Sequence, residues 1–387
     1  MLSSVLPKRV FGGKVLRRVL HYVGVMNRGG METLIMNLYR NIDLAEFQFD
    51  FATHTEQKGD FDDEIRNKGG KIYSFPQYRK DPKFYRTTWK SFFCEHAGEY
   101  EVFHFHTNSL ANVVALEEAQ KAGIPIRIVH SHSTWANKGR LQWLNNVLHK
   151  YHQSKLSKLA TNLVACSTEA AQWLYGGMTV KNLKVALLKN GVDCERFSYD
   201  ASIRKRTREV LGLTDDEILV GHIGKFIQVK NHAFLLDIIA AMMNRNENVR
   251  GILVGDGELK GQLIEKAKAL GIEDKVQFLG VRSDISELLM AMDIYIMPSL
   301  YEGLPVSVVE VQATGLTALL SDTISKEVKL KENVYFASLE LRPEDWGEYA
   351  LTLCNKKREI DNSPIKEAGF DIRLTAKEYE KMISGKI

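Results

Sequence analysis

The sequence has no long apolar run and few cysteines. No stretch approaches the roughly 18 to 20 consecutive apolar residues that a membrane-spanning helix needs. The N-terminus carries its basic residues after a very short apolar stretch, the reverse of a secretory signal. The four cysteines form no CxxC pair, which favours reduced thiols over a disulfide framework or a zinc site. These absences predict a cytoplasmic protein.

Composition and charge narrow the possibilities further. Apolar residues make up 44% and charged residues 26% of the 387 positions, which excludes wholesale disorder and a fibrous fold. A chain of this length predicts two domains. Residues 1–190 carry 26 Lys and Arg against 16 Asp and Glu, a balance of +10, and the remaining 26 and 32 leave −6. The basic half either meets an anionic partner or spreads its charge over a solvated surface.

Apolar, β-branched segments alternate with segments of helical period, which is typical of βα units and parallel sheets. The pattern predicts an α/β protein with two doubly wound domains, 1–188 and 189–365. A final segment, 366–387, has the pattern of an amphipathic helix that packs back on the first domain. The predicted strands cover residues 18–24, 47–53, 71–75, 102–106, 126–132, 162–167, 218–224, 249–255, 276–280, 293–299 and 317–321.

Glycines and lysines follow several predicted strands, where ligands collect in open α/β sheets. Gly29 and Gly30 precede a helix, whose N-terminus can bind phosphate, although the GxGxxG fingerprint is absent. Lys225 and Lys230 could neutralise a diphosphate, and Asp256 lies in a tight Gly-Asp-Gly turn. Plain turns and solvated loop lysines are the alternatives for each segment taken alone.

Two glutamates flank a turn into a helix. Glu302 follows a predicted strand, Gly303, Leu304 and Pro305 turn the chain, and Glu310 lies in the second helical turn among apolar residues. A carboxylate in such surroundings needs partners, because an unpaired buried charge is costly. Vicinal sugar hydroxyls or a lysine of the same domain would satisfy it.

Two histidine pairs end predicted strands, His104 with His106 and His130 with His132. Strand residues two apart share a face, so each pair could contribute to a metal site or to the core. The acidic string Asp60 to Asp62 imitates a metal-binding DxD motif, but its position at the start of a helix favours a cap.

Together the segments GGMETL, NGVD, GDGEL and FLGVRSDISELLMAMDIYIMPSLYEGLPVSVVEVQATG resemble glycosyltransferase family 4. This large family of retaining enzymes has the GT-B fold, two Rossmann-like domains facing across a cleft. Glu302 and Glu310 fill its E-x7-E signature, and the resemblance is most specific in the second domain. Bacterial exopolysaccharide and capsule glycosyltransferases share segments similar to GGMETLIMNLYRNI and HSHST.

The resemblance implies a nucleotide-sugar site. Glu310 would hold the ribose hydroxyls, and Glu302 would hold the donor sugar and its diphosphate. Lys225 and Lys230 would take the diphosphate charge, although the family commonly has arginine at the first position, so bidentate geometry is lost here. Further donor-binding positions implied are Gly29, Gly30, Asp256, the backbone of Val281 near the base, and the backbone of Gly303, Leu304 and Pro305. Of the histidines, His130 is expected near the donor sugar, so that Glu302, Lys230, Lys225 and His130 form the expected catalytic set.

We therefore expect sugar transfer, with retention, from a nucleotide-sugar, preferably a UDP-sugar, to a hydroxyl of a lipid-linked glycan in exopolysaccharide, capsule or O-antigen synthesis. We expect no metal, no cofactor and no binding of nucleic acid. We do expect peripheral contact with the inner face of the cell membrane. The alternatives are a non-hydrolysing epimerase, a metal-dependent hydrolase that uses the histidine pairs, and a protein that only binds the donor.

Overall fold

The computed structural model describes residues 10–11, 14–132, 142–177 and 184–386. The chain forms two compact units. The first comprises Met1–Gly191 and Ile372–Ile387, and the second comprises Val192–Asp371. Among the described residues, no helix is long and apolar enough to cross a membrane.

The first unit is built on a parallel sheet of seven strands in the order β5-β4-β3-β6-β7-β8-β9, with a short antiparallel pair, β1 and β2, ahead of it. The strands are β1 Val10–Phe11, β2 Lys14–Val15, β3 Arg17–Tyr22, β4 Phe47–Thr53, β5 Ile72–Ser74, β6 Tyr100–Thr107, β7 Ile126–Ser131, β8 Asn162–Ala165 and β9 Val185–Leu187. The helices that precede the second unit are α1 Gly30–Asn41, α2 Asp62–Asn67, α3 Pro82–His96, α4 Val114–Lys121, α5 Gln142–Gln153, α6 Leu156–Leu159 and α7 Thr168–Tyr175.

The second unit has a parallel sheet of six strands in the order β12-β11-β10-β13-β14-β15. Its strands are β10 Ile218–Ile223, β11 Val249–Val254, β12 Val276–Gly280, β13 Ile294–Met297, β14 Ala318–Ser321 and β15 Val334–Ala337. Its helices are α8 Ala201–Val210, α9 His232–Arg245, α10 Lys260–Ala269, α11 Ile285–Ala291, α12 Val306–Ala313, α13 Pro343–Cys354 and α14 Ser363–Glu367. The last helix of the chain, α15 Ile372–Ile383, belongs to the first unit.

Each sheet is covered on both faces, as parallel sheets require. In the first unit, one face packs an aromatic core around Trp89 of α3, and the other packs against α1 and α15. The second unit has two such cores as well. The predicted α/β fold with two doubly wound domains is confirmed. The short strands β1, β2, β9 and β15 were not predicted.

The unit boundaries differ from the predicted residues 188 and 365. Val192 donates its amide to the carbonyl of Phe370 at 2.7 Å, and Phe370 is buried in the second unit. Residues 366–371 therefore pack with the second unit rather than with the final helix, which begins at Ile372. In α15, Tyr379 is fully buried against the first unit's sheet.

Candidate functional site

Five of the predicted ligand-binding residues follow strands at one edge of the second unit's sheet. Because all of its strands are parallel, the loops after their carboxyl ends meet at the same edge. These residues are Lys225 and Lys230 after β10, Asp256 after β11, Val281 after β12 and Glu302 after β13.

Lys230 and Glu302 form an ion pair, with Nζ and Oε1 2.7 Å apart and each side chain 17% exposed. Two bonds hold the segments that carry them together: Leu300 donates its amide to the Val229 carbonyl at 2.8 Å, and Asn231 Nδ2 donates to the Pro298 carbonyl at 3.1 Å. Asn231 has a φ of 55°, in the left-handed region that Asn tolerates. The ammonium and the carboxylate are therefore fixed in place before any ligand arrives.

The turn after Glu302 leads directly into α12. Gly303 is exposed, Leu304 is half-buried, and Pro305 is the buried N-cap residue. The first amides of a helix have no intrahelical acceptor and carry the positive end of its dipole. The α12 N-terminus thus offers N–H donors to an anion next to Glu302.

Glu310 lies in the second turn of α12 and is partly exposed. Desolvation raises the pKa of its carboxyl from 4.5 to about 7, and the charge of Arg196 opposes this rise. The Tyr295 hydroxyl donates to the Ile223 carbonyl at 3.2 Å. Burial raises the pKa of Tyr295, and the charges of Glu302 and Glu310 raise it further, so both carboxylates lie within electrostatic range of its ring. The partly desolvated carboxylate of Glu310 could therefore accept hydrogen bonds from hydroxyl groups of a ligand.

The glycine turn after β11 packs directly against the lysine loop. A Cβ on Gly255, where φ is +142°, would lie 2.1 Å from the Gly224 carbonyl oxygen, and one on Gly257 would lie 2.4 Å from the Phe226 oxygen. Asp256 is exposed and pairs with Lys260 at 3.0 Å. Lys225 is also exposed, and it has no ion pair within the described part of the chain. Gly255 and Gly257 are therefore required for the backbone contact between the loop after β11 and the lysine loop after β10.

Sequence reasoning assigned no role to His222, Arg196 or Tyr295. His222 lies on β10, donates its Nδ1–H to the Ile296 carbonyl oxygen at 2.8 Å, and places Nε2 beside Gly224. Arg196 donates to the Ser283 carbonyl at 2.8 Å and follows the NGVD segment. A polar residue near the carboxyl end of a buried strand was the available signal for His222. The sequence contained no signal for Arg196, because the proximity of Arg196 to Glu310 depends on tertiary structure.

In the first unit, Gly29 is the N-cap of α1 and Gly30 is its first residue. A Cβ on Gly29 would meet Glu32 Oε2 at 2.3 Å, whereas a Cβ on Gly30 would meet nothing within 4 Å. Desolvation raises the pKa of Glu32. The predicted glycine turn is therefore present, and the space next to its backbone is free at Gly30.

The histidine pairs lie on the face of the sheet that α1 and α15 cover. His104, His106 and His130 are at most 4% exposed, and His132 is partly exposed. Strand register places a fifth ring, His21 of β3, opposite His104. Burial lowers the pKa of all five rings, to about 3 for His21 and His132, so they are neutral at pH 7. His130, the histidine expected near a ligand, is fully buried within this cluster.

The acidic string Asp60 to Asp62 was expected to cap α2, but it does not provide the N-cap. The N-cap residue is Phe61, without a side-chain cap bond, and Asp62 opens the helix. Asp60 instead accepts a hydrogen bond from the Arg28 amide at 3.1 Å, which ties it to the loop that precedes α1. Acidic residues do occupy the first turn, where the helix dipole favours them.

Two family models match adjoining parts of the chain. The model described as Glycosyltransferase Family 4 matches residues 28–196, and the one described as Glycosyl transferases group 1 matches residues 203–360. The first covers most of the first unit, and the second covers all five strand-end residues named above and Glu310.

Individual proteins agree with these matches. The putative glycosyltransferase EpsF of Bacillus subtilis is 35% identical over 360 residues, 92% of this chain and 93% of its own. The capsular polysaccharide biosynthesis glycosyltransferase CapH of Staphylococcus aureus is 23% identical and covers 95% of this chain and 99% of its own. UDP-Gal:alpha-D-GlcNAc-diphosphoundecaprenol alpha-1,3-galactosyltransferase of Escherichia coli is 26% identical over 58% of each chain.

Among solved structures, Anabaena HepE in complex with UDP and glucose has a TM-score of 0.74 at 20% identity, over 95% of this chain and 99% of its own. At that identity the likeness concerns the fold. The family models and the 35% identical relative lead to one conclusion: the chain belongs to glycosyltransferase family 4 and is a glycosyltransferase.

Proposed function

We propose that this glycosyltransferase transfers a sugar from a UDP-sugar to a hydroxyl of a lipid-linked glycan, with retention at the anomeric carbon. Two relatives support the donor class, since HepE is described in complex with UDP and glucose, and the Escherichia coli enzyme is named for UDP-Gal. The latter name also contains a diphosphoundecaprenol acceptor. The observation that carries the proposal is the Lys230–Glu302 ion pair beside the N-terminus of α12.

In the proposed donor site, Glu310 accepts hydrogen bonds from the ribose hydroxyls. Partial desolvation raises its pKa, and two hydroxyl donors would offset the hydration that the carboxylate loses. The backbone at Val281, whose side chain is 53% exposed, contacts the base. The turn of Gly303, Leu304 and Pro305 meets the diphosphate and the donor sugar.

Lys230, Lys225 and the α12 N-terminus supply positive charge where the reaction needs it. When the bond between the anomeric carbon and the diphosphate oxygen breaks, negative charge grows on the leaving diphosphate. Groups that are fixed beforehand stabilise this charge without reorganisation, which is where much enzymatic rate enhancement arises. We propose that no metal or other cofactor takes part, because these cations provide the neutralisation. We propose that Asp256, whose carboxylate pairs with Lys260 at 3.0 Å, also lies at the donor site.

Within the first unit, we propose that the backbone at Gly30, where a Cβ would meet nothing within 4 Å, binds an anionic group of the ligand, and that Gly29, the N-cap of α1, lies beside it. His130 is the proposed histidine near the donor sugar. It is fully buried among neutral imidazoles, so it would act as a neutral hydrogen-bonding group and not as a cation.

The test is a thermal-shift panel of nucleotide-sugars, in the presence of EDTA, on wild type, Glu310→Ala and the control Glu332→Ala. Glu332 is 88% exposed and pairs with Lys329 at the surface. Ligand binding raises the apparent stability of the folded state by mass action. We expect one UDP-sugar to raise the melting temperature of wild type and of the control, and not of Glu310→Ala. Equal shifts in all three proteins would place the nucleotide elsewhere.

We also propose that the first unit contacts an anionic membrane surface through α5. This helix exposes Trp143, Val147 and Tyr151, spaced four residues apart along one face, and their exposed fractions are 68%, 57% and 52%. The sequence from residue 119 to 168 contains no Asp or Glu, and it includes Lys150 and Lys155. Aromatic side chains beside basic ones, in a stretch of sequence without acidic residues, suit the headgroup region of anionic lipid. On this basis we propose a cytoplasmic location at the inner membrane face.

Vesicle co-sedimentation tests this contact. Trp143→Ser should reduce binding to phosphatidylglycerol vesicles, and wild type should bind phosphatidylcholine vesicles weakly at the same ionic strength. The matched control is Phe84→Ser, which removes another exposed aromatic residue, 58% exposed on α3 of the same unit. Equal loss in both variants would contradict a role specific to α5.

The two other enzyme classes considered from the sequence predict different results. An epimerase would turn over donor without an acceptor, and a hydrolase that uses the histidines would lose activity in EDTA. The family assignment favours neither of them, and an assay with donor, acceptor and chelator separates all three.

A further inference from the structure

Five histidines converge on one face of the first unit's sheet, and most of them have no role in the proposed transfer reaction. Strands β3, β6 and β7 are neighbours, and their register sets His21 beside His104, and His106 beside His130. His132 follows two residues after His130 and therefore shares its face. The ring centroids of His106 lie 5.5 Å from those of His130 and 5.0 Å from those of His132.

The imidazole nitrogens of these rings form hydrogen bonds with one another only in part. His106 Nδ1 lies 2.8 Å from His132 Nε2, and His106 Nε2 lies 3.0 Å from His21 Nδ1. Both nitrogens of His130 and Nδ1 of His132 are buried and have no hydrogen-bond partner among the described protein groups. A buried polar group without a hydrogen-bond partner destabilises the folded state, so this concentration of unpaired imidazole nitrogens needs an explanation.

We propose that His106, His130 and His132 form a binding site for a divalent transition-metal cation of the zinc type. One nitrogen from each ring lies within 4.8 Å of the others. Neutral imidazole is a preferred ligand of zinc, which takes three protein ligands and an open fourth position in many sites. Ligand nitrogens at about 2.0–2.1 Å from a tetrahedral zinc ion lie about 3.3 Å apart. The pair at 2.8 Å must therefore separate by about 0.5 Å, and the other nitrogens, which lie within 4.8 Å, must approach by up to about 1.5 Å.

His21 supplies the outer hydrogen bond that such sites normally contain. Metal-binding histidines usually donate their second ring N–H to an acceptor, which fixes the ring and its tautomer. If His106 donates Nε2–H to His21 Nδ1, the lone pair on His106 Nδ1 faces His132 and is available to the cation. His21 is thus a positioning residue.

A second triad, His21, His104 and His106, also has its nitrogens within 4.8 Å, but it is the poorer candidate. His21 and His104 are fully buried, and His104 Nδ1 is held by the Tyr379 hydroxyl at 2.7 Å. The first triad includes the partly exposed His132, which leaves a route for the cation and a place for water as its fourth ligand. The triads share His106, so one cation is expected per chain.

The site would inhibit sugar transfer, a consequence that rests on the proposed function because it assumes that His130 lies near the donor sugar. A cation bound to His130 removes the nitrogen that would meet the sugar and adds positive charge beside a developing cationic anomeric carbon. Activity should therefore be highest in EDTA and fall as zinc is added.

Binding is tested directly on the full chain by titration with Co²⁺, followed by visible absorption, and with Zn²⁺, followed by calorimetry. We expect one cation per chain, with the intense absorption of tetrahedral Co²⁺. His132→Gln should abolish this signal, His21→Gln should weaken binding by roughly 10- to 100-fold, and the control His96→Gln should not change it. His96 lies outside the cluster, bonded to Glu99 at 2.7 Å.

Equal Co²⁺ spectra for wild type and His132→Gln, or no binding to wild type, would overturn the site. Circular dichroism in EDTA checks that each variant folds, and the partly exposed His132 makes its variant the least disruptive. Binding without inhibition of transfer would overturn only the inhibitory role. If the chain transfers no sugar from any UDP-donor, the proposed function fails, while the Co²⁺ spectrum still decides the metal site.

Discussion

At the scale of single residues, Glu310 gives a pH-dependent stability. Its folded-state pKa is raised to about 7, so the contribution of its protonated form is fully present below about pH 4.5 and is lost as pH rises through 7. Glu310→Gln cannot ionise and avoids this loss. In the absence of nucleotide, we expect the melting temperature of Glu310→Gln, relative to wild type, to be higher at pH 8 than at pH 5.

The control for this comparison is Glu332→Gln, which changes an exposed carboxylate of the same unit. Its difference from wild type should be the same at both pH values. A pH-independent difference for Glu310→Gln would mean that the Glu310 carboxyl is well solvated.

The two lysines of the proposed donor site should differ in importance. Lys230 is 17% exposed and fixed by Glu302, whereas Lys225 is exposed. A preorganised donor in a partly desolvated site is worth about 10²–10³ in rate, and an exposed charge about fivefold. We therefore expect Lys230→Ala to lower kcat/KM for the UDP-sugar far more than Lys225→Ala does. Steady-state kinetics measure the ratio, and equal effects would contradict the assigned roles.

At the scale of elements, the contact between the loops after β10 and β11 depends on Gly255. Its φ of +142° and the 2.1 Å approach of a Cβ to the Gly224 oxygen make Gly255→Ala destabilising, by roughly 1–3 kcal/mol or more. Gly261→Ala is the control, because a Cβ there, in helix α10, meets nothing within 4 Å. That variant should be stabilised by about 0.5–1 kcal/mol. Urea titrations followed by circular dichroism should show shifts of opposite sign.

The sequence predicted the elements that have a strong periodic pattern and missed the weak ones. Long buried strands such as β4 and β10 were predicted. Strands of three or four residues are too short to show a period, so some of them, such as β5 and β8, were predicted and others, β9 and β15, were missed. The same limit applies to the site. The His104 and His106 pair was visible as alternate residues, but the approach of His21 depends on β3 lying beside β6, an order that no local pattern contains. Likewise, Lys230 and Glu302 were both selected, but their ion pair was not foreseen.

At the scale of the whole molecule, the two units differ in how the chain completes them. The second is one continuous segment, Val192–Asp371, whereas the first needs α15 from the other end of the chain. We expect a fragment of residues 192–371 to be soluble and folded, because its cores contain only its own residues. A fragment of residues 1–191 should aggregate, since it lacks Tyr379, Met382 and Ile383, which cover its sheet.

Size-exclusion chromatography and circular dichroism of the two fragments test this difference. Co-expression of residues 372–387 with the 1–191 fragment should increase its solubility, and a version of the short segment with Tyr379→Asp should not. A soluble, monomeric, cooperatively unfolding 1–191 fragment would contradict the role given to α15.

The return of the chain to the first unit also sets the order of events during protein synthesis. Domains generally fold from the N-terminus as they leave the ribosome, at about 5–20 residues per second. Here the 180 residues of the second unit are translated before α15, so the nascent first unit keeps one apolar face uncovered for roughly 10–40 s. A chaperone that binds nascent chains would bind this apolar face during that interval. A chain that terminates before α15 would keep the face exposed and would be degraded.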